Sequence, residues 1–344
     1  MDKKLEKYCG ACTTEKRVEQ VIRDNHKGRK IYFIGKETEQ SPPSSSFFGE
    51  LVSLDANFQK SVENAYLVFL SLDVVNFLQI KWIDNFEPIN DFLIIKRHPK
   101  RVPVGDYRKK EFTDSYMNKV WGIVTEDIVI YLKGSSSKVI LNDYEKIGSL
   151  KIHLDDYSNI VFEDAIFIYD LEMVVDCGCN VIFGKNCIIR NNSVIFCRDK
   201  SSIEVGEKTT FGKNLNITSH SSVKIGKDCL FSNDCTFQCG DGHSIFDVCT
   251  GLLCNDTRVQ NEKNLIDIGD HVWVGFRSTI LNGTKVGTGC MVACGAIVKG
   301  QFSNNCMIGG VPAKVLKKNI AWCHQKNASD ISSCGKYVKK TELL

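Results

Sequence analysis

An apolar residue recurs at every sixth position through much of the C-terminal half of the chain, and this spacing constrains the fold more than any other feature. From Ile268 to Val298 the spacing is unbroken, and shorter runs with the same spacing precede it. A period of six fits neither the 3.6-residue turn of an α-helix nor the two-residue alternation of a half-buried strand. The apolar positions, called anchors below, are Phe183, Ile189, Ile195, Val205, Phe211, Ile217, Ile225, Phe231, Phe237, Ile268, Val274, Ile280, Val286, Val292 and Val298.

The residues around the anchors suggest how each six-residue unit is shaped. Seven anchors are followed directly by glycine, where we expect the backbone to turn, and the fourth residue after an anchor is usually small. Three such units would close a triangular coil of eighteen residues, and coils would stack through parallel strand hydrogen bonds about 4.8 Å apart. The spacing therefore predicts a parallel β-helix. Cysteines at the fourth position are then small buried side chains with no disulfide or metal role, namely Cys187, Cys229, Cys235 and Cys290.

The remaining sequence divides the 344-residue chain into three expected parts. Residues 1–147 contain apolar, β-rich runs at 31–34, 92–95, 128–132 and 139–141 between helix-compatible stretches such as 59–80, which predicts an α/β or α+β domain of unclear role. Residues 148–318 form the coil stack, with irregular first coils over 148–180. Residues 319–344 look like a short helix with a frayed end. The expected fold class is therefore mainly β, with an N-terminal α/β-type domain before the coils.

Composition and charge exclude several other classes of protein. A net charge of +3 is near balance and does not predict nucleic-acid binding. The N-terminus is charged and has no apolar signal-peptide core, and the most apolar window, 66–80, is too short for a membrane span. We therefore expect a cytoplasmic protein, in which the sixteen cysteines do not form a disulfide scaffold. The single Cys-x-x-Cys pair, Cys9 and Cys12, has no second pair at zinc-finger spacing.

The repeat is interrupted between Phe237 and Ile268, and the segment 238–267 contains the sequence CGDGHSIFDV at 239–248. Loops of this length without secondary structure are usually functional or disordered. Its apolar and aromatic residues favour an ordered arm that packs against another surface. The imidazole of His243 could act there as a general base, and either Asp241 or Asp247 could orient it.

The repeat, the segment IGDHVWVGFRSTILNGTKVG (268–287) and the closing segment GGVPAKVLKK (309–318) resemble the hexapeptide-repeat acyltransferases. This resemblance covers about 180–318 and implies a left-handed β-helix and a homotrimer. Sialic acid and capsule O-acetyltransferases of this family have an Asp-x-His-x-Ile loop, present here at 241–245, and a tryptophan in the following coil, here Trp273. The resemblance implies that His243 is the general base and that Trp273 lies beside it and the thioester.

The same resemblance implies acetyl-CoA as the acyl donor, bound in a groove between two copies of the coil stack. Lysines after the last coil would hold its phosphates, and Val311 stands where the family motif has asparagine, which removes that side-chain amide. The positions that match the family's donor groove are Trp273, Gly275, Ser278, Ala293, Gly295, Ala296, Lys314, Lys317 and Lys318.

The leading hypothesis is an acetyl-CoA-dependent O-acetyltransferase that acts on a bacterial capsular or surface glycan or its sialic-acid-like sugar. The alternatives are an N-acetyltransferase acting on a nucleotide-linked amino sugar and a non-catalytic trimeric scaffold. We expect no metal, because His220, His243 and His271 are widely separated in the repeat. His271 follows its anchor by three positions, where side chains are expected to face solvent, and His220 is expected in a turn.

Overall fold

A computed structural model describes residues 99–241, 243–255, 264–325 and 327–338, and the backbone of five strands before them. The chain divides into two compact units, Met1–Lys100 and Arg101–Leu344. The strands of the first unit are β1 (Cys9–Thr14), β2 (Ile31–Gly35), β3 (Glu50–Ser53), β4 (Tyr66–Phe69) and β5 (Phe92–Lys96).

These five strands form one parallel sheet with the order β1-β5-β4-β2-β3. Strands β2 and β5 coincide with apolar runs from which the sequence predicts strands. Strand β4 lies inside the stretch 59–80, whose pattern is compatible with a helix. The helices expected for this domain lie outside the described residues.

The second unit is a stack of coils whose strands form three long sheets, called sheets I, II and III. Sheet I contains β6 (Lys100–Arg101), β11 (Ile128–Leu132), β14 (Leu150–Leu154), β17 (Leu171–Val175), β20 (Ser193–Cys197), β23 (Asn216–Ser219), β26 (Thr236–Cys239), β29 (Thr279–Leu281) and β32 (Ile297–Val298). Sheet II contains β8 (Phe112–Thr113), β9 (Lys119–Trp121), β12 (Lys138–Leu141), β15 (Asn159–Phe162), β18 (Asn180–Phe183), β21 (Ser202–Val205), β24 (Val223–Ile225), β27 (Ile266–Ile268), β30 (Lys285–Val286) and β33 (Gln301–Phe302).

Sheet III contains β13 (Lys146–Ile147), β16 (Phe167–Ile168), β19 (Ile188–Ile189), β22 (Thr210–Phe211), β25 (Leu230–Phe231), β28 (Trp273–Val274), β31 (Met291–Val292), β34 (Met307–Gly310) and β35 (Ala313–Lys317). The chain passes from sheet I to II to III and then begins the next coil. A separate antiparallel pair joins β7 (Gly105–Asp106) to β10 (Ile123–Val124). The fold is a left-handed parallel β-helix; the spacing of the anchors predicts the parallel coils, and the family resemblance implies the hand.

The anchors and the small residues four positions later fill the interior of this β-helix. All fifteen anchors are buried, and so are the cysteines at the fourth position. Register shows that coil length varies: Ile280 pairs with Val298 eighteen residues on, whereas Ile195 pairs with Ile217 twenty-two residues on. The predicted eighteen-residue coil therefore describes the coils from Ile268 to Val298, whereas the earlier coils are longer and the last one is shorter, since Val286 pairs with Phe302 sixteen residues on.

The β-helix also begins earlier than the expected start at residue 148. Strand β11 pairs residue by residue with β14, and β12 pairs with β15 in the same way. Both early strands alternate buried and less buried residues, as the later coils do. The coils before residue 148 lack the six-residue spacing of anchors, and this is why the sequence pattern does not reveal them.

Glycine after an anchor serves close approach between coils rather than the turn itself. A Cβ added to Gly206 would lie 2.6 Å from the carbonyl carbon of Gly226 in the next coil, and one on Gly226 would lie 2.5 Å from that of Gly269. The positive φ angles that turn the chain occur two residues later, at positions such as Asp228 (φ 56°) and His271 (φ 52°). The glycines thus lie close to the turn, but they do not turn the chain themselves. Their role is to leave room for the backbone of the next coil.

The last described part of the chain, residues 319–325 and 327–338, is called the C-terminal segment below. It ends in a 3-10 helix, Ile331–Tyr337, whose preceding residue Asp330 accepts a hydrogen bond from the backbone N–H of Ser332. A short helix was expected in this part of the chain. None of the helices in the described part of the chain is long and apolar enough to cross a membrane.

Gly206→Ala is predicted to destabilise the β-helix because the added methyl group would meet backbone that cannot rotate away. We expect a loss of about 1–3 kcal/mol in the free energy of unfolding, the usual range for overpacking. Ser232→Ala is the matched control, since Ser232 also follows an anchor and already carries a Cβ. Thermal unfolding followed by circular dichroism measures both variants. Equal unfolding midpoints for the two variants would contradict this role of glycine.

Candidate active site

An arm of residues 240–265 leaves the β-helix between β26 of sheet I and β27 of sheet II. Of this arm the structure describes 240, 241, 243–255, 264 and 265. Its outer part is a short hairpin, in which Phe246 bridges Leu253 and the N–H of Cys254 donates to the carbonyl of Ile245 at 2.7 Å. The arm is therefore a folded element in this part, as its apolar residues predict.

The apolar side chains of the hairpin are exposed rather than buried against their own β-helix. Val248 is 99% exposed, and Ile245, Phe246 and Leu252 are each more than half exposed. Contiguous apolar side chains on the surface usually mark a site of interaction with another molecule. The arm thus presents an apolar surface that the described residues of its own chain do not cover.

His243 lies at the base of this hairpin, and its position is fixed through its backbone. Asn255 donates from Nδ2 to the carbonyl of His243 at 2.8 Å and to a carboxylate oxygen of Asp241 at 2.9 Å. The side-chain oxygen of Asn255 accepts from the N–H of Ile245 at 2.6 Å. One amide side chain therefore holds the chain on both sides of His243, whose own side chain is exposed.

The two aspartates predicted to orient His243 have other partners in the structure. Asp247 closes the turn at the tip of the hairpin, accepting from the N–H groups of Cys249 and Thr250 and from the hydroxyl of Thr250. These hydrogen bonds lower the pKa of Asp247. Asp241 accepts from Asn255. Among the described residues, the Asn255 amide is the group that connects Asp241 to the backbone of His243.

Trp273 begins strand β28 in sheet III, between Leu230 and Met291 of the neighbouring coils. Its side chain is half-buried, and its ring lies 5.9 Å from that of Trp322 in the C-terminal segment. The arm leaves the edge between sheets I and II, and sheet III forms the opposite side of a triangular coil. The described contacts thus bring Trp273 to the C-terminal segment and not to His243 of the same chain.

The predicted donor-groove residues fall into two groups. Ser278 and Ala296 are buried in the coil, and the Ser278 hydroxyl donates to the carbonyl of Ala293 at 3.0 Å, so these two positions can offer only their backbone to a bound donor. Gly275 is buried, and a Cβ there would lie 2.7 Å from the backbone nitrogen of Cys294. The remaining candidates, which reach the surface, are Ala293, Gly295, Lys314, Lys317 and Lys318.

His271 is buried, which corrects the expectation of a solvent-facing side chain. It is only 4% exposed, because the C-terminal segment covers it. Its ring stacks on Trp322 at 4.1 Å and on Tyr337 at 4.6 Å. This contact depends on residues more than fifty positions away, and the six-residue repeat carries no signal for it.

The buried cysteines at the fourth position after an anchor are not suited to nucleophilic chemistry. Burial raises the pKa of Cys187, Cys229 and Cys290 to about 12, so these thiols stay protonated at neutral pH. Their Sγ atoms also lie against carbonyl oxygens of neighbouring residues, for example that of Gly269 at 3.2 Å from Cys229. The predicted role of these cysteines as small buried side chains is consistent with this environment.

Comparison with known proteins gives the family of the chain. No family model matches the sequence. A polysialic acid O-acetyltransferase of Escherichia coli O1:K1 / APEC is 31% identical over 160 residues, which are 45% of this chain and 50% of that protein. The match thus spans only half the length of that relative. The putative lipopolysaccharide biosynthesis O-acetyl transferase WbbJ of Escherichia coli (strain K12) is 31% identical over 175 residues, 43% of this chain and 87% of the relative.

A solved structure extends this likeness to the fold. The crystal structure of the polySia specific acetyltransferase NeuO matches with a TM-score of 0.56 and 26% identity, over 62% of this chain and 98% of that chain. The match spans nearly the whole of that protein. The chain has stacked coils interrupted by an arm, and its matches cover most of WbbJ and nearly all of NeuO. This chain therefore belongs to the hexapeptide-repeat acyltransferase family.

Proposed function

We propose that the protein transfers an acetyl group from acetyl-CoA to a hydroxyl of a capsular or surface glycan, or of its sialic-acid-like sugar. The observation that carries this proposal is His243, an exposed imidazole on a folded arm, in a chain similar to polysialic acid O-acetyltransferases. The family likeness supports the reaction class, and the arm supplies the group that the reaction needs.

The proposed reaction is a direct transfer. His243 takes the proton of the sugar hydroxyl while its oxygen attacks the thioester carbonyl of acetyl-CoA, forming a tetrahedral intermediate. A backbone N–H or the indole N–H of Trp273 donates to the developing oxyanion. The carbon–sulfur bond then breaks, and the CoA thiolate receives the proton from the His243 imidazolium. A positioned base of this kind contributes about 10²–10⁴-fold to the rate.

The state of the buried thiols supports direct transfer over an acyl-enzyme. A cysteine nucleophile reacts as the thiolate and needs a neighbouring base or a lowered pKa. Cys187, Cys229 and Cys290 have raised pKa values and are buried inside the β-helix, where neither substrate fits. An enzyme of this shape therefore uses both substrates together in one site.

We also propose that the active protein is a homotrimer in which the arm of one copy docks on the β-helix of another. Two observations support this assembly: the hairpin exposes Phe246, Val248 and Leu252, and Trp273 lies on the side of the coil opposite the edge from which the arm leaves. A shared site would take His243 from one copy and Trp273 from its neighbour. Lys314, Lys317 and Lys318 would then meet the phosphates of CoA.

His243→Ala is predicted to reduce turnover about a hundredfold or more, because the acceptor hydroxyl loses its base. The measurement uses labelled acetyl-CoA with polysialic acid, free sialic acid and a nucleotide-linked amino sugar as acceptors. His153→Ala is the control, since His153 is a partly exposed histidine on β14, four coils before the arm. Full activity of His243→Ala would refute the assignment, and acetylation of the amino sugar alone would favour an N-acetyltransferase.

Asn255→Ala is predicted to lower kcat about tenfold while leaving the KM for acetyl-CoA unchanged, because it releases the backbone on both sides of His243. Thr250→Ala is the matched control, since it removes a hydrogen bond to Asp247 at the tip of the same hairpin. Steady-state kinetics of both variants distinguish a loss of the position of His243 from a general loosening of the hairpin. Equal losses would mean that Asn255 only stabilises the arm.

Phe246→Asp is predicted to weaken the trimer and reduce activity together, because it places a charge in the apolar surface of the arm. Light scattering after size exclusion should give three times the chain mass of 38.7 kDa for the unmodified protein and a smaller mass for the variant. Val104→Asp, a similarly exposed position outside the arm, is the control. A variant that stays trimeric would contradict docking through this surface.

A further inference from the structure

The edge between sheets II and III stacks the residues that turn the chain into a column. Asp228 and His271 are neighbours in this column, because each lies three positions after a sheet II anchor and the N–H of His271 donates to the carbonyl of Lys227. The Nδ1 atom of His271 lies 2.8 Å from one carboxylate oxygen of Asp228. The arm separates the two residues by 43 positions in sequence, although they are adjacent in space.

The other ring nitrogen of His271 already makes a hydrogen bond to the backbone. Its Nε2 lies 3.0 Å from the carbonyl oxygen of Trp322, which can only accept, so Nε2 carries a hydrogen. In the neutral imidazole, Nδ1 then presents a lone pair to the carboxylate of Asp228. Two acceptors at 2.8 Å need a proton between them, or a small movement apart to bind one metal ion at about 2 Å from each.

A third group converges on the same carboxylate. The Nε2 atom of His324 lies 3.1 Å from the second oxygen of Asp228. Within the described ranges, Asp228, His271 and His324 form the group of three whose candidate ligand atoms all lie within 4.8 Å of one another. Hydrogens on His271 and His324 would make two separate hydrogen bonds to Asp228, whereas one metal ion would join all three side chains at once.

We propose that Asp228, His271 and His324 bind a zinc ion. Two imidazoles and one carboxylate are donors that Zn²⁺ accepts, while Mg²⁺ and Ca²⁺ prefer sets made of oxygen. The hydrogen bond from His271 Nε2 to a backbone carbonyl is the usual outer contact of a zinc-bound histidine, and it fixes the tautomer that leaves Nδ1 free to bind. The fourth position faces solvent through His324, which is 48% exposed, so water completes four-coordination.

The surrounding rings hold the principal ligand in place. Trp322 and Tyr337 stack on the two faces of His271, and the indole N–H of Trp322 donates to the backbone carbonyl of His271 at 2.9 Å. His324 comes from the C-terminal segment, and the other two ligands come from successive coils. Zinc therefore joins the C-terminal segment to the β-helix beside Trp273.

Cobalt binding tests this site independently of any acetyl transfer. The full chain, purified without a polyhistidine tag and stripped with a chelator, is titrated with Co²⁺ and then with Zn²⁺. We expect one Co²⁺ per chain, with the intense visible absorption of four-coordinate cobalt, and its displacement by Zn²⁺. His324→Gln, at an exposed position that should tolerate the change, is expected to weaken binding at least about tenfold.

Two controls make the outcome specific. His220→Gln removes a second histidine–aspartate contact, 2.7 Å from Asp199, which has no third ligand group among the described residues, so metal binding should be unchanged. His243→Ala should also bind metal normally, which separates this proposal from the proposed reaction. Failure of the unmodified chain to bind Co²⁺ stoichiometrically, or equal binding by His324→Gln, would overturn the zinc site.

Discussion

The close approach of backbone between successive coils is the constraint on which the rest of the structure depends. Parallel hydrogen bonds along three sheets hold each coil to the next. At the edge between sheets II and III, a Cβ added to Gly206 or Gly226 would lie 2.6 or 2.5 Å from backbone carbon of the next coil, which is too close for non-bonded atoms. Because the coils cannot separate, each repeat position stacks on the same position of the next coil. Large anchors, small inward residues and turning residues therefore form separate columns, and a column can be read almost directly from the sequence.

This arrangement explains why the chemistry lies in an insertion. The interior is filled by anchors, and buried thiols such as that of Cys229 are protonated and enclosed, so the inside of the coils offers no reactive group to a substrate. An insertion between two sheets leaves the stack intact: Phe237 still pairs with Ile280 and Val223 with Ile266 across the arm. The β-helix thus supplies a rigid base, and the arm can take whatever shape its own contacts dictate.

The same columns explain which features were predictable from sequence. Anchors, inward cysteines and the position of the arm follow from a period of six, since each is a local consequence of stacking. Asn255 and the burial of His271 were not predictable, because the first acts through a hairpin contact and the second through a segment that returns from beyond the last coil. The burial of Ser278 does follow from its place four residues after an anchor, where side chains point into the coil.

Two histidine–aspartate contacts on one β-helix show how the covering segment changes the chemistry of a pair. His220 and Asp199 lie 2.7 Å apart, about as close as His271 and Asp228. Of these two pairs, the second is the one that aromatic rings cover and that a further histidine contacts. Stacking places acidic and basic side chains of the same column next to each other. The residues that pack over such a pair then determine its chemical environment. Since Trp322 contacts both His271 and Trp273, the order of the C-terminal segment is physically linked to the surface proposed to bind the acyl donor.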